Sequence, residues 1–360
     1  MRLLVVGGAG KTAARLLPFL LAGDWERIIL GDREGEPLCR MAMDFPSAPL
    51  GFRFLDAGER DCLRRRIEEA DLVVNCAGPL GEKEGDVAVA ALEAGRPYLS
   101  PGEGEEGWQR VRALEKEARE KGVSLVCGAG VCPGLTGVMA ASLARRLDSL
   151  EEVDIFLYMG NGDYGRGLVD QLASSLKMRG KRSSPVSFTF PPESRSRYAY
   201  PLEHAGSSSL AERLGIPART WVAFGAGAAG FALFYTLAWS RRESHPFYRW
   251  LAEAAAMCLR RGGERGLPTT AAVRLRGLRN GEPREVAAAL KGDYYLLSAA
   301  ALSCAVDMVA AGKVTPGVHP LEQVAGWEDI VPYLRLTGAI LYLGESPGER
   351  RQPAFEADHA

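Results

Sequence analysis

The first 33 residues constrain this chain most. An apolar run from Leu3 to Val6 leads directly into Gly8-x-Gly10-x-x-Ala13, and a second apolar run, Ile28 to Leu30, ends near Asp32, 22 positions after Gly10. The order strand, glycine turn, helix, strand, acid is the dinucleotide-binding fingerprint in its proper context. Gly8 permits the tight turn from strand to helix. Gly10, without a Cβ, lets backbone approach a pyrophosphate, and Ala13 is small enough for the helix to pack on a sheet. The phosphates then rest on the turn Ala9-Gly10-Lys11-Thr12, where unpaired N–H groups and the helix dipole favour negative charge. Gly10-Lys11-Thr12 also resembles the end of a P-loop. That motif needs a glycine at position 5, where Val5 sits inside the strand, so a nucleotide triphosphatase is set aside.

Strand-like and helix-like segments alternate from residue 1 to about 130. This predicts an α/β fold with a doubly wound parallel sheet. Pro18 is expected to kink or shorten the first helix. Beyond 130 the pattern changes. Strand-like runs at 153–159, 186–190, 221–224 and 271–275 predict a mixed sheet in an α+β domain, followed by a long helix over 293–311. The 360 residues are divided as a dinucleotide-binding domain (1–130), an α+β substrate and dimerisation domain (131–290), a C-terminal segment (291–343) and a polar tail (344–360).

A net charge of −1 offers no electrostatic case for nucleic acid or a membrane surface. The seven cysteines (39, 62, 76, 127, 132, 258 and 304) are dispersed without metal-ligand spacing, which suits reduced thiols in a cytoplasm. Four unpaired histidines argue against a metal site. The strand starting at Leu3 is read as leaving no signal peptide. Trp221 to Ser240 carries no charge and is followed by Arg241-Arg242, imitating a membrane span. Gly225, Gly227 and Gly230 interrupt it, and it is read as a buried strand and helix.

Several motifs together resemble the saccharopine dehydrogenase family: Gly7-Gly8-Ala9-Gly10 with Asp32-Arg33; Asp71-Leu-Val-Val-Asn-Cys-Ala-Gly-Pro79; Gly95-Arg-Pro-Tyr98-Leu-Ser100-Pro101; Gly128-Ala-Gly130-Val-Cys132-Pro133-Gly134; and Gly317-Val-His319-Pro320-x-Glu322. The resemblance implies hydride transfer between a nicotinamide and the carbon–nitrogen bond of a small amino-acid-like substrate. It also implies a middle domain that contacts substrate, a C-terminal return to the first domain, and a homodimer. Saccharopine reductases of this family carry Asp before the Pro-Gly of the fourth motif. Here the position is Cys132, and a thiol does not pair with a substrate ammonium as a carboxylate does.

Asp32 is expected to accept ribose hydroxyls, which favours NAD, whereas Arg33 beside it suits the 2′-phosphate of NADP; the reading leans to NAD because a carboxylate repels that phosphate. Asn75, Ala77, Gly78 and Pro79 end a strand at the carboxyl edge and are assigned to the cofactor. Ser100 is a candidate for the nicotinamide amide of the cofactor or for a substrate carboxylate, and Tyr98 is assigned to substrate. Cys132 is placed at the nicotinamide, as proton donor or apolar liner. Asp163 and Tyr164 are candidates for proton transfer, Arg166 for clamping a substrate carboxylate, and His319 ranks first among the histidines as a base. The alternative reading is a non-catalytic dinucleotide-binding or sensing protein attached to a membrane through 221–240.

Overall fold

A computed structural model describes residues 1–78, 85–102, 104–160, 162–175, 185–193, 196–202, 205–225, 254, 269–347 and 355–358. The chain divides into two compact units. The first comprises Met1–Leu135 and Tyr295–Leu334, the second Thr136–Tyr294 and Arg335–Ala360.

The first unit is built on a parallel sheet of β1 (Arg2–Val6), β2 (Arg27–Asp32), β3 (Leu50–Phe54), β4 (Leu72–Asn75), β5 (Tyr98–Leu99), β6 (Ser124–Cys127) and, from far along the chain, β13 (Gly317–Pro320). The strand order is β13-β6-β5-β4-β1-β2-β3, with every pair parallel. The central strands read as continuous apolar runs because helices cover both faces of such a sheet. Leu3, Leu4, Val6, Val73 and Val74 are wholly buried. The first helix, Lys11–Leu20, retains Pro18 in its last turn and is not cut short by it.

At the amino edge of this sheet Asp71 ties β1 to β4. Its carboxylate accepts from the Arg2 main-chain N–H at 2.8 Å and from the Arg2 guanidinium at 2.9 Å. The side-chain and main-chain bonds from Arg2 hold the Asp71 carboxyl down at about 2, against opposing desolvation.

The second unit holds β7 (Ser149–Met159), β8 (Val186–Thr189), β9 (Ser196–Leu202), β10 (Ala218–Phe224), β11 (Thr269–Arg279), β12 (Glu282–Gly292), β14 (Ile340–Pro347) and β15 (Phe355–Asp358), ordered β15-β14-β12-β11-β7-β10-β9-β8. β10 runs parallel to β7 while β11 is antiparallel to it, so the sheet is mixed, as expected. The β11–β12 hairpin turns through Asn280-Gly281, with φ of 54° and 77°. Both values lie in the left-handed region that a two-residue hairpin turn demands.

Along one face of β7 the pleat brings Glu152, Asp154, Phe156 and Tyr158 to the same side. Phe156 and Tyr158 pack with Phe188, Phe190, Ala223, Ala272 and Tyr342, and the Phe156 and Phe188 rings stack at 3.8 Å. Asp154, almost wholly buried, is neutralised by Arg219 at 2.8 Å and Arg274 at 2.7 Å.

Two expectations are corrected. Residues 344–360 are not a polar tail throughout: Ile340–Pro347 pairs antiparallel with β12, burying Leu341 and Tyr342. Without this strand the edge of β12 would present unpaired main-chain groups. The segment returning to the first unit accordingly spans 295–334 rather than 291–343. Trp221 to Phe224 closes β10, and the rest of the uncharged segment, from 226, lies outside the described residues. Among the described residues no helix is long and apolar enough to cross a membrane.

The Arg2–Asp71 pair sets a pH dependence. The folded-state pKa of Asp71 lies below its unfolded value near 4, so the contribution is complete above that pH and lost as pH falls towards 2. Asp71→Asn is expected to cost about 1 kcal/mol at neutral pH, with a deficit that vanishes in acid; denaturant titrations at both pH values measure it.

Candidate functional site

The carboxyl edge of the parallel sheet gathers five loops. The turn after β1 comes first. Gly7 takes φ +76°, and both Gly7 and Gly8 donate their N–H groups to the Gly31 carbonyl, at 2.9 and 3.0 Å. A Cβ on Gly7 would lie 2.5 Å from the main-chain nitrogen of Ala77 and 2.7 Å from its Cα. The left-handed turn therefore falls at Gly7 rather than Gly8. A Cβ on Gly8 would instead meet Leu30 at 2.9 Å. Gly10 precedes the helix Lys11–Leu20 in extended conformation. No side chain caps that helix, and its first turn has no acid. The first-turn N–H groups are thus oriented to receive an anion.

Asp32 ends β2 and braces this loop. One carboxylate oxygen accepts the Ala9 N–H at 3.0 Å and the other accepts the Glu34 N–H at 3.1 Å. Arg33 is exposed, and no described residue bonds to its guanidinium. The turn after β4 is held by Asn75. Its Oδ1 accepts the Ala77 N–H and its Nδ2 donates to the Tyr98 hydroxyl, both at 3.1 Å. Tyr98 is wholly buried. It supports the Asn75 turn from the core. Gly78 faces open space, and Pro79 lies outside the described residues. Desolvation pushes the Cys76 thiol up to about 12, which keeps it neutral in the physiological range.

The main chain of Ser100 links β5 to the turn after β6. Its N–H donates to the Val126 carbonyl at 3.0 Å, and its carbonyl accepts the Ala129 N–H at 2.8 Å. Its side chain is buried at this edge. In the 128–134 turn, a Cβ on Gly130 would lie 2.3 Å from the Pro101 carbonyl oxygen, and one on Gly134 at 2.3 Å from that of Gly130. Half-buried Cys132 lies in this turn and forms no disulfide.

His319 lies on the edge strand β13, in register with Val126 of β6. Its Nε2 donates to the Thr315 carbonyl at 2.8 Å, its Nδ1 lies 3.4 Å from Gln323, and the Glu115 carboxylate accepts the neighbouring Val318 N–H. These local partners hold the ring in place. Glu322, just beyond β13, is a buried carboxylate.

Asp163, Tyr164 and Arg166 belong to the second unit. Asp163 is exposed. Tyr164 is buried, with its hydroxyl 3.0 Å from Thr269 Oγ1 and its ring edge-on to Tyr294. Those contacts anchor the loop. Arg166 opens the helix Arg166–Ser175, and its side chain lies outside the described residues. Gly7 was not singled out as a site residue, although its place immediately before Gly8 was the available signal.

Gly7→Ala is expected to destabilise the fold by at least about 2 kcal/mol, since both φ and the Ala77 backbone oppose a side chain. Calorimetry measures this. Tyr98→Phe, which leaves the Asn75 amide short of a partner, is expected to cost about 1 kcal/mol by the same method.

Residues 3–126 match the family described as the saccharopine dehydrogenase NADP binding domain. Among solved structures, the chain is similar to apo saccharopine dehydrogenase (L-Glu forming) from Saccharomyces cerevisiae. The TM-score is 0.62 and the identity 14%, over 96% of this chain and 99% of that one. A dehydrogenase (MviM) from Clostridium difficile matches with a TM-score of 0.44 and 8% identity, over 93% of this chain and 97% of its own. The WlbA (WbpB) dehydrogenase from Thermus thermophilus, in complex with NAD and alpha-ketoglutarate, matches with a TM-score of 0.41 and 16% identity, over 93% and 92%.

Proposed function

We propose that this chain, whose residues 3–126 match the saccharopine dehydrogenase NADP binding domain, is a nicotinamide-dinucleotide-dependent oxidoreductase acting at the carbon–nitrogen bond of an amino-acid-like substrate. The observation that carries this reading is the glycine loop at the sheet's carboxyl edge. It is braced by Asp32, closed against Ala77, and leads into a helix with no capping side chain. That cradle fits a pyrophosphate. A bound nicotinamide supplies the hydride donor or acceptor. The residues of the chain bind and orient. The first turn of the helix Lys11–Leu20 offers main-chain donors to the phosphates, on a loop whose Ala9 and Gly10 N–H groups are held by Asp32 and the Gly7 carbonyl. Asn75, Ala77 and Gly78 shape the wall beyond them. Ser100 and the 128–134 turn close the far end, where Cys132 contributes a small neutral side chain.

We take NADP as the cofactor, in place of the lean to NAD. Both oxygens of Asp32 already accept main-chain N–H groups, while Arg33 is exposed beside them without a described partner. An unpaired guanidinium suits a 2′-phosphate. The family description names the same cofactor. Cys132 cannot neutralise a substrate ammonium as a carboxylate does; in the second unit Arg166 stays the candidate for a substrate carboxylate, and Asp163 and Tyr164 for proton transfer. A cytoplasmic homodimer with reduced thiols completes the reading.

The test is a thermal-shift titration with NADPH and NADH. NADPH at a hundred-fold excess over Kd is expected to stabilise the protein by about 2.7 kcal/mol. NADH is expected to do less, and Arg33→Ala to abolish the difference. Oxidation of the bound reduced cofactor is then followed with 2-oxo acids and amines. No shift with either dinucleotide overturns the proposal. A shift without turnover on any amine or imine leaves the non-catalytic sensing role instead.

A further inference from the structure

The first unit exposes three large hydrophobic side chains among its described residues: Met1, Met43 and Phe54. A single exposed hydrophobe needs no explanation. What distinguishes Phe54 is its place. Met1 precedes β1 at the amino edge and Met43 lies near the end of the helix Gly35–Asp44, whereas Phe54 ends β3 at the carboxyl edge. In the parallel pairing of β2 with β3 its register partner is Asp32, the residue that braces the glycine loop.

The face of the sheet follows from the pleat. Arg53 reaches Glu69, at the end of the helix Arg60–Glu68, with an Nε–O distance of 2.8 Å. Side chains alternate along a strand, so Phe54 turns to the opposite face, and in-register residues of neighbouring strands share a face. Phe54 and Asp32 therefore stand on the same side. The backbone at Phe54 is pinned. Its carbonyl accepts from Arg66 Nε at 3.2 Å, and the next residue, Leu55, is buried and donates its N–H to the Asp32 carbonyl at 3.0 Å. Phe54 is nevertheless 62% exposed. Alongside lie Arg33, exposed, and Gly35, where an added Cβ would meet nothing within 4 Å. An aromatic face, a cation and open ground thus meet at the strand end where the adenosine half of a dinucleotide belongs.

We propose that Phe54 is the platform for the adenine ring and a determinant of cofactor affinity. This rests on the dinucleotide reading above. A purine presents a π-face to an aromatic ring whatever its hydrogen-bonding edge. The contribution is therefore confined to the adenosine half of the ligand and independent of the nicotinamide half.

The test is calorimetric titration of the wild type, Phe54→Ala and Phe54→Tyr with NADPH, with 2′,5′-ADP and with reduced nicotinamide mononucleotide. Phe54→Ala is expected to weaken NADPH and 2′,5′-ADP about ten-fold while leaving the mononucleotide within about two-fold. Phe54→Tyr, which keeps the ring, is expected to bind as the wild type does. Undiminished binding of 2′,5′-ADP by Phe54→Ala overturns the proposal. Equal weakening of the mononucleotide also overturns it, because that outcome reports a general distortion of the site. Wild-type protein that binds none of the three ligands overturns the dinucleotide reading itself.

Discussion

The approach of Gly7 to the backbone of Cys76 and Ala77 leaves no room for a side chain, and the carboxyl edge of the first unit depends on it. With the first loop pressed against the turn after β4, the Gly31 carbonyl is placed to accept two successive N–H groups, and Asp32 to accept a third from Ala9. From the Cys76–Ala77 turn the same connection runs through Asn75 to the buried Tyr98, and from β5 through Ser100 to Ala129. Five loops are joined largely through main-chain groups. Such a floor does not depend on the rotamers of long side chains, which is what a surface receiving phosphates and a ribose requires.

The second unit is organised differently. Its sheet is held by side chains that alternate in character along a single strand. Phe156 and Tyr158 on β7 belong to an aromatic cluster, while Glu152 and Asp154 on the same face belong to a network of arginines. A buried carboxylate between two guanidinium groups adds little stability over an apolar core, but removing either partner is costly. The pairing of Asp154 with both Arg219 and Arg274 therefore fixes how β10 and β11 flank β7.

The parts of this architecture that were legible in the sequence are those set by local pattern. The apolar runs of β1, β2 and β4, the glycine loop and Asp32 are all read from spacing alone, because buried parallel strands and a phosphate turn tolerate few residue types. The change to a mixed sheet beyond about residue 130 is legible from the same kind of local pattern. What escaped is what depends on distant neighbours. The left-handed turn falls on Gly7 because Ala77 arrives beside it, and nothing in Gly7-Gly8 says which glycine carries it. Tyr98 looks like a strand-end polar residue until Asn75 is seen to take its hydroxyl. His319 is claimed by Thr315 and Gln323. The β11–β12 hairpin also went unread beyond the run 271–275, although Asn280-Gly281 is the turn signal between its strands. Ile340 to Leu343 was masked by the glycine, glutamate and proline that follow it.

The strand β13 gives the first sheet a history as well as a shape. Its partner β6 ends at Cys127, and β13 begins at Gly317, about 190 residues later. A ribosome adding roughly 5–20 residues each second leaves the edge of β6 uncovered for about 10–40 s. Throughout that interval the nascent chain displays a buried-type strand, Ser124-Leu-Val-Cys127, with one row of main-chain donors and acceptors unmet. The second unit is made almost entirely within the same window. Completion of the first sheet is therefore a late event in the birth of the molecule.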